Sequence, residues 1–440
     1  MAADIGTTPA EARSFPSLFG QLRWQTASNL GAAALGGIYL VYLGRELGAH
    51  DFGLFALVTG VASFAFSATD LRTQEAMVRY LAVFAERPGE RAACVRLLLF
   101  VDASSRVIVW LLLLAASPLV AKFLIRSHDA FATIVVAATA AVLAKIGNGP
   151  AVGVLRAFRR FDWHAASLLS TWSAKLAVTW VALQAAGTSV LVALLAALVC
   201  DLAGNLAIVW RAARELRDAQ IAIPGTAAAT ARSGAGEVGR FLAMSAGMSL
   251  SDSFVRELDT TVVAWYLPLP DVGAYRMAKN ILLMLWRAVD PVYVVLMPEF
   301  ARQRAAGQRH DTVHLALRTT MLVFAASVVV LTTMYFLLPT AVSVILGASF
   351  SAVPQAANLM AIGLLLGAPL IWTHALSVGA GKVHVQLCAN LLGAALAGTT
   401  FVLLTPRTGL NGAALGFAVA LGAPFVISAV IWTRLSRLAK

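Results

Sequence analysis

Charged residues are scarce in this sequence. Of its 440 residues only 13% are Asp, Glu, Lys or Arg, whereas 59% are hydrophobic, and the mean hydropathy is +0.78. Water-soluble domains contain about 25% charged residues, so the composition excludes a soluble enzyme. The high apolar content also excludes a disordered chain.

Cysteines and catalytic motifs are scarce as well. Cys94, Cys200 and Cys388 lie far apart and form no C-x-x-C pair, so we predict no disulfide. The sequence lacks a P-loop, a dinucleotide fingerprint and a G-x-S-x-G motif. Residues 310–314 imitate a zinc-protease motif, but no third ligand is indicated. We therefore predict no catalytic residue, no cofactor and no metal site.

Long apolar runs, in contrast, are abundant. About twelve of them are long enough for the helix of about 20 residues that crosses a bilayer. They lie near residues 24–44, 54–80, 97–121, 130–154, 163–185, 188–210, 240–266, 274–298, 316–338, 353–377, 384–405 and 410–433. Their length and lack of strict alternation predict helices rather than barrel strands. The predicted fold class is an all-α polytopic membrane protein.

The basic residues are distributed unevenly between the two sides of these spans. One set of alternate connections, together with both termini, holds 24 of the 34 Lys and Arg residues, and the other set holds four. The positive-inside rule therefore predicts that both termini are cytoplasmic. The net charge of +12 is mostly explained by the basic residues that orient the spans in the membrane. We therefore predict no nucleic-acid partner.

The two halves of the chain are similar at an offset of 220 residues. Six of seven matched pairs are identical: Leu47 with Leu267, Asp51 with Asp271, Gly53 with Gly273, Phe55 with Tyr275, Ala68 with Ala288, Asp70 with Asp290 and Met77 with Met297. Because of this repeat, we predict two six-helix lobes that are related by an axis along the membrane normal and enclose a central cavity. Rocking of the two lobes around the cavity would give alternating access. The predicted organisation is a cytoplasmic N-terminus (1–23), a first lobe (24–214), a linker (215–237), a second lobe (238–434) and a tail (435–440).

Ionisable residues inside spans are costly and are by default functional hypotheses. The predicted eighth helix carries Arg276, Lys279, Asn280, Arg287 and Asp290 within about 60 degrees of one line. Arginine binds phosphate through two parallel hydrogen bonds and keeps its charge. We therefore predict that the substrate cavity is lined by Arg256, Arg276, Lys279, Asn280 and Arg287, and that Asp70, Asp259 and Asp290 are candidate ion-coupling sites.

Alternative interpretations of these charges stay open. On the predicted seventh and eighth helices four basic residues balance four acidic ones, which fits structural ion pairs as well as a hydrated substrate path. In the first half, Asp102 and Arg106 are spaced for local pairing, whereas Lys175 and Asp201 lie singly on different helices. Arg72 and Arg79, at the end of the second helix, either anchor it among lipid headgroups or form an entrance for a phosphate headgroup.

Three segments resemble the bacterial polysaccharide flippases, the Wzx type of the multidrug/oligosaccharidyl-lipid/polysaccharide exporter superfamily. They are R-E-L-G-A-H-D-F-G-L-F-A at Arg45–Ala56, D-V-G-A-Y-R-M-A at Asp271–Ala278 and M-P-E-F-A-R at Met297–Arg302. The segment Asp70–Arg79 also resembles a turn of this family, with Arg72 where glycine is more usual. The chain length and the six-plus-six plan agree with the resemblance.

The resemblance implies translocation of an undecaprenyl-pyrophosphate-linked oligosaccharide across the bacterial inner membrane, for O-antigen (lipopolysaccharide) or exopolysaccharide synthesis. It also implies possible partners in a polysaccharide polymerase and chain-length machinery. One alternative is a cation-coupled multidrug exporter of the same superfamily, which would be expected to have a predominantly acidic cavity. The other is an enzyme, a membrane glycan polymerase or ligase, for which we expect a large periplasmic loop that is not found.

Overall fold

The computed structural model describes residues 16–68, 70–84, 86–125, 131–221, 238–239, 242, 258–289, 292–293, 296, 299–300, 303, 309–379 and 382–438. This part of the chain is helical and contains no strand. The helices are α1 (Pro16–Ala68), α2 (Thr73–Val83), α3 (Pro88–Leu119), α4 (Phe131–Ala141), α5 (Asn148–Ala157), α6 (Phe161–Ala186), α7 (Val190–Asp218), α8 (Leu258–Tyr266), α9 (Leu269–Arg287), α10 (Arg309–Ile345), α11 (Val353–Gly367), α12 (Trp372–Gly379), α13 (Val383–Thr408) and α14 (Leu410–Leu438).

The predicted all-α membrane fold is confirmed. Within the described residues, eight helical stretches are long and apolar enough to cross a membrane. One of them, in α1, contains two helices joined at Gly48, whose φ of 72° is a left-handed conformation that favours glycine. The predicted fifth and eighth spans correspond to α6 and α9, which are more polar. Of the predicted seventh span, the structure describes Leu242 and the part from Leu258 onward.

Three spans that were predicted to be continuous are interrupted. The second is interrupted between Ala68 and Thr73, where α1 ends and α2 begins. The fourth contains the 3-10 turn Leu143–Lys145 between α4 and α5, and the tenth contains the turn Ala368–Leu370 between α11 and α12. The turn in the fourth span includes Lys145, which therefore lies inside the span Phe131–Ala157. Hydropathy alone cannot detect these breaks, because the interrupted segments are nearly as apolar as a continuous helix.

Two glycines that match in the sequence repeat contact each other between the lobes. A Cβ atom added to Gly273 would lie 3.3 Å from the Cα of Gly53, and a Cβ added to Gly53 would overlap the carbonyl oxygen of Leu269. Residues related by a two-fold axis touch each other only beside that axis. The contact therefore supports a pseudo-two-fold axis that passes between α1 and α9.

The largest hydrophobic cluster among the described residues combines both lobes. We call the side with the Lys-rich and Arg-rich connections the basic side. The cluster lies near the opposite side, where Phe52 packs edge-on to Phe350 with ring centroids 5.9 Å apart. On the basic side, two smaller clusters form around Tyr80 and around Phe300, and the one around Tyr80 also includes Val238 and Leu242. The described residues therefore show extensive contact between the lobes on the side opposite the basic one.

Candidate functional site

The predicted polar stripe on α9 is divided between buried and accessible residues. Lys279 is 1% exposed, Arg276 and Asn280 are partly buried, and Arg287 is exposed. On a helical wheel Arg276, Asn280 and Arg287 fall within about 40 degrees, whereas Lys279 lies about 60 degrees from Arg276 on the other side. The two sets therefore have different surroundings.

Lys279 belongs to a buried cluster that joins α8 to α9. Its Nζ lies 2.7 Å from Oδ1 of Asp259, and the hydroxyl of Tyr275 donates a hydrogen bond of 2.6 Å to the other carboxylate oxygen. The backbone N–H of Thr260 also donates to Asp259, at 2.7 Å. Lys279 Nζ is 5.7 Å from the centre of the Phe417 ring. This arrangement supports the structural-pairing interpretation for Lys279 and Asp259.

Two other residues of the stripe, Asn280 and Arg287, have donors without a described partner. Arg276 donates a hydrogen bond of 3.2 Å to Thr260 Oγ1. Nδ2 of Asn280 is buried and has no hydrogen-bond partner among the described residues. Arg287 forms no ion pair within that same part of the chain. A helix rises 1.5 Å per residue, so Arg276 and Arg287 are separated by about 16 Å along α9.

The α9 surface that carries Asn280 faces the other lobe. Met277 and Met284, one turn on either side of Asn280, lie against Gly44 and Gly37 of α1. Arg276 and Arg287 share the Asn280 face and therefore border the boundary between the lobes. Arg256 and Asp290, also predicted for this site, lie outside the described residues. The roles of all these residues as substrate or ion ligands stay predictions.

The two predicted entrance residues lie on α2 and at its start. Arg72 precedes the first residue of α2 and is partly buried, with its N–H 3.0 Å from Oδ1 of Asp70. Arg79 is exposed on the last turns of α2, and its guanidinium is 5.4 Å from the ring centre of Tyr80. Both arginines lie toward the basic side.

Five charged residues of the first lobe, Asp70, Asp102, Arg106, Lys175 and Asp201, are also paired. Arg106 lies 3.6 Å from both Asp70 and Asp102, so Asp70, a predicted ion-coupling residue, has a cationic partner. Lys175 and Asp201, which are far apart in sequence, form an ion pair of 2.7 Å. Sequence analysis identified Asp102 and Arg106 as a local pair but missed their contacts with the breaks in two other helices.

The described residues contain no group of three His, Cys, Asp or Glu side chains that could hold a metal ion. His310 and His314 are exposed, with ring centroids 6.1 Å apart. The chemistry that the side chains of α9 offer is hydrogen bonding and positive charge.

Residues 22–304 match the family described as polysaccharide biosynthesis protein. The match covers more than half of the sequence. The chain belongs to the polysaccharide biosynthesis protein family. No curated protein sequence matches this family member significantly.

Solved structures share the fold of this polysaccharide biosynthesis family member. A multidrug resistance MATE family transporter of the MOP superfamily, in an inward-facing conformation, superposes with a TM-score of 0.74 at 17% identity, covering 94% of this chain and 95% of the transporter. The lipid II flippase MurJ, in an inward closed conformation, has a TM-score of 0.71 at 11% identity, covering 93% and 87%. These structures are a transporter and a flippase, in line with the prediction that the chain is not an enzyme.

A further structure with the same fold is an outward-facing MATE family transporter of the MOP superfamily, with a TM-score of 0.54 at 16% identity, covering 95% of this chain and 93% of that one. The family member is a multi-pass membrane protein. Its family and fold together support a role in moving a substrate across the membrane.

Proposed function

We propose that this protein moves an undecaprenyl-pyrophosphate-linked oligosaccharide from the cytoplasmic to the periplasmic leaflet of the bacterial inner membrane. The lobes, which we propose extend over residues 24–214 and 238–434 with the linker 215–237 between them, alternate around the glycan headgroup. The basic side is the cytoplasmic side in this proposal, so both termini are cytoplasmic. A polysaccharide polymerase and chain-length machinery are proposed partners in O-antigen or exopolysaccharide assembly.

The observation that carries the proposal is the set of uncommitted donors on α9. Within the described residues, the buried Nδ2 of Asn280 has no hydrogen-bond partner and the exposed Arg287 forms no ion pair. Both residues lie on the face of α9 that borders the other lobe. A diphosphate cannot cross hydrocarbon unaided, because its charge loses hydration. Arginine donors between the lobes replace that hydration, while the polyprenyl tail stays in the lipid.

The substrate class is tested by deleting the gene. We expect lipid-linked repeat units to accumulate in the cytoplasmic leaflet and surface polysaccharide to be lost, with unchanged sensitivity to drugs. The measurement compares glycans extracted from the membrane and from the cell surface, and complementation by the intact gene is the control. Drug sensitivity without loss of glycan would instead support a multidrug exporter.

Arg287→Ala tests the site. A hydrogen bond to a charged group contributes about 1.5–3 kcal/mol, so we expect a decrease of about 10- to 150-fold in glycan translocation. The protein level should stay normal, because Arg287 is exposed. Arg45→Ala, which removes an exposed arginine near Gly48, is the matched control. Unaltered surface polysaccharide in the Arg287 variant would remove this residue from the mechanism.

A further inference from the structure

Two helices of the first lobe are interrupted close to each other. The break between α1 and α2 includes Arg72, whose φ of 49° lies in the left-handed region. The break between α4 and α5 ends at Gly147, with a φ of 75°. Left-handed conformations are costly for residues other than glycine and are found where the surrounding structure holds them for a functional reason.

Asp102 of α3 connects the two breaks. Thr73 Oγ1, at the first residue of α2, donates to Oδ1 at 2.9 Å, and the N–H of Gly147, just before α5, donates to Oδ2 at 2.8 Å. Asp102 is 1% exposed, and Arg106 one turn away is 4% exposed. One carboxylate thus binds the N-terminal ends of two half-helices, where the helix dipole favours negative charge.

Asn205 of α7 completes the contacts. It accepts a hydrogen bond of 3.0 Å from Asn148 and donates one of 2.9 Å to the carbonyl oxygen of Ile146. A layer of polar contacts therefore crosses the first lobe. We call it the polar layer, and it consists of Asp70, Thr73, Asp102, Arg106, Gly147, Asn148 and Asn205.

The segments on the basic side of the polar layer form one packed unit. A Cβ atom added to Gly153 would lie 2.6 Å from the carbonyl oxygen of Gln74 and from Cβ of Met77, so α5 and α2 are in backbone contact. Their apolar residues form one hydrophobic cluster with residues of α3 and α7 on this side, such as Val95 and Ile208, and this cluster is separate from the one on the other side of the layer. α3 and α7 pass through the layer and connect its two sides.

The second lobe has a comparable break without these charges. Every buried position of α10 corresponds, at an offset of 221, to a buried position in or just after α3, although α3 has further buried positions. Ala316 matches Val95, Val323 matches Asp102 and Ser327 matches Arg106. α11 nevertheless ends at Gly367 and is followed by a 3-10 turn. A helix break in this fold therefore does not require a buried ion pair, although burying such a pair carries a desolvation cost.

We infer that the polar layer is a hinge of the first lobe, about which α2 and α5 swing together when the lobes change access. The inference rests on the proposed function, because it assumes alternating access. Polar contacts at helix ends absorb changes in φ and ψ, whereas a close-packed apolar core resists deformation. The second lobe has Val323 and Ser327 at the positions that match Asp102 and Arg106. It therefore moves as one body, without an internal hinge. Asp102 is a positioning residue in this scheme.

Label distances test the hinge without any substrate. After the native residues Cys94, Cys200 and Cys388 are replaced by alanine, spin labels are attached to Val83→Cys at the end of α2 and Phe131→Cys at the start of α4, both exposed sites. We expect two distances that differ by about 5 Å, one helical turn. The control is a second label pair, at Ser351→Cys and His384→Cys, which are exposed at opposite ends of the second lobe. This pair should give a single distance. A single narrow distance for the first-lobe pair would overturn the hinge.

The double variant Asp102→Val with Arg106→Ser places in the first lobe the residue types that the second lobe has at the matching positions, Val323 and Ser327. We expect it to reach normal levels in the membrane, to give a single distance for the first-lobe label pair and to lose at least about 90% of surface polysaccharide. Asp102→Val alone leaves Arg106 without Asp102 and should reduce the protein level. Normal polysaccharide from the double variant, or two distances in it, would contradict the hinge. If gene deletion leaves the glycan unaffected while wild-type protein shows two distances, the substrate proposal fails and the hinge stands.

Discussion

Replacing Asp259 with alanine is expected to remove most of the folded protein from the membrane. Lys279 is 1% exposed and loses its carboxylate partner in this variant, and Tyr275 loses its acceptor. Breaking a buried ion pair on one side costs about 3–5 kcal/mol, a large part of the 5–15 kcal/mol that stabilises a typical domain. Protein level in isolated membranes and thermal unfolding of the purified protein measure the effect.

Asp201→Ala is the matched control for that variant. Its partner Lys175 is 13% exposed rather than 1%, so the ammonium group left behind is closer to water, and we expect a clearly smaller loss of protein. An Asp259→Ala protein as abundant and as thermally stable as wild type would show that the pair does not stabilise the fold.

A double variant separates structure from transport at Lys279. Asp259→Leu with Lys279→Met replaces the pair by apolar side chains of similar size, a change that is often neutral or stabilising. If this protein folds and supports normal surface polysaccharide, the pair is structural only. If it folds and the polysaccharide is lost, Lys279 takes part in transport, as its predicted place in the cavity requires.

The sequence predicted the membrane fold and its repeat, because both depend on patterns that need no packing information. Apolar runs of about 20 residues predict spans, and the pair Gly53 and Gly273 followed directly from the offset of 220. The partners of single charges were harder to predict. The balance of charges on two helices favoured pairing, but only packing shows that Asp259 binds Lys279 rather than Arg276.

The polar layer could be only partly predicted. The spacing of Asp102 and Arg106 indicated a local pair, but both breaks lie in segments that are read as continuous helices and contain no proline between residues 68 and 73 or between 141 and 148. The one local signal at the first break was Arg72, in a position where the related family more usually has glycine. Its left-handed backbone explains that preference.

Gly53→Leu is expected to abolish most transport by forcing the lobes apart on the side opposite the basic one. The space beside Gly53 is filled by the backbone of α9 at Leu269 and Gly273, so a side chain there cannot be accommodated by a change of rotamer. Overpacking costs about 1–3 kcal/mol and sometimes more, which shifts a two-state equilibrium by about 5- to 150-fold. The shift disfavours the state in which the lobes meet at the pseudo-two-fold axis.

The change in access can be measured directly. In a background without the native cysteines, a thiol at Asn280→Cys should react with a membrane-impermeant reagent from the basic side only. With Gly53→Leu added, labelling from the opposite side should appear. Gly398→Leu is the control, because its added side chain meets open space on α13. Because Gly53 and Gly273 contribute equivalently to the contact, Gly273→Leu should produce the same labelling. Labelling confined to the basic side in both variants would mean that the glycine contact does not close the cavity.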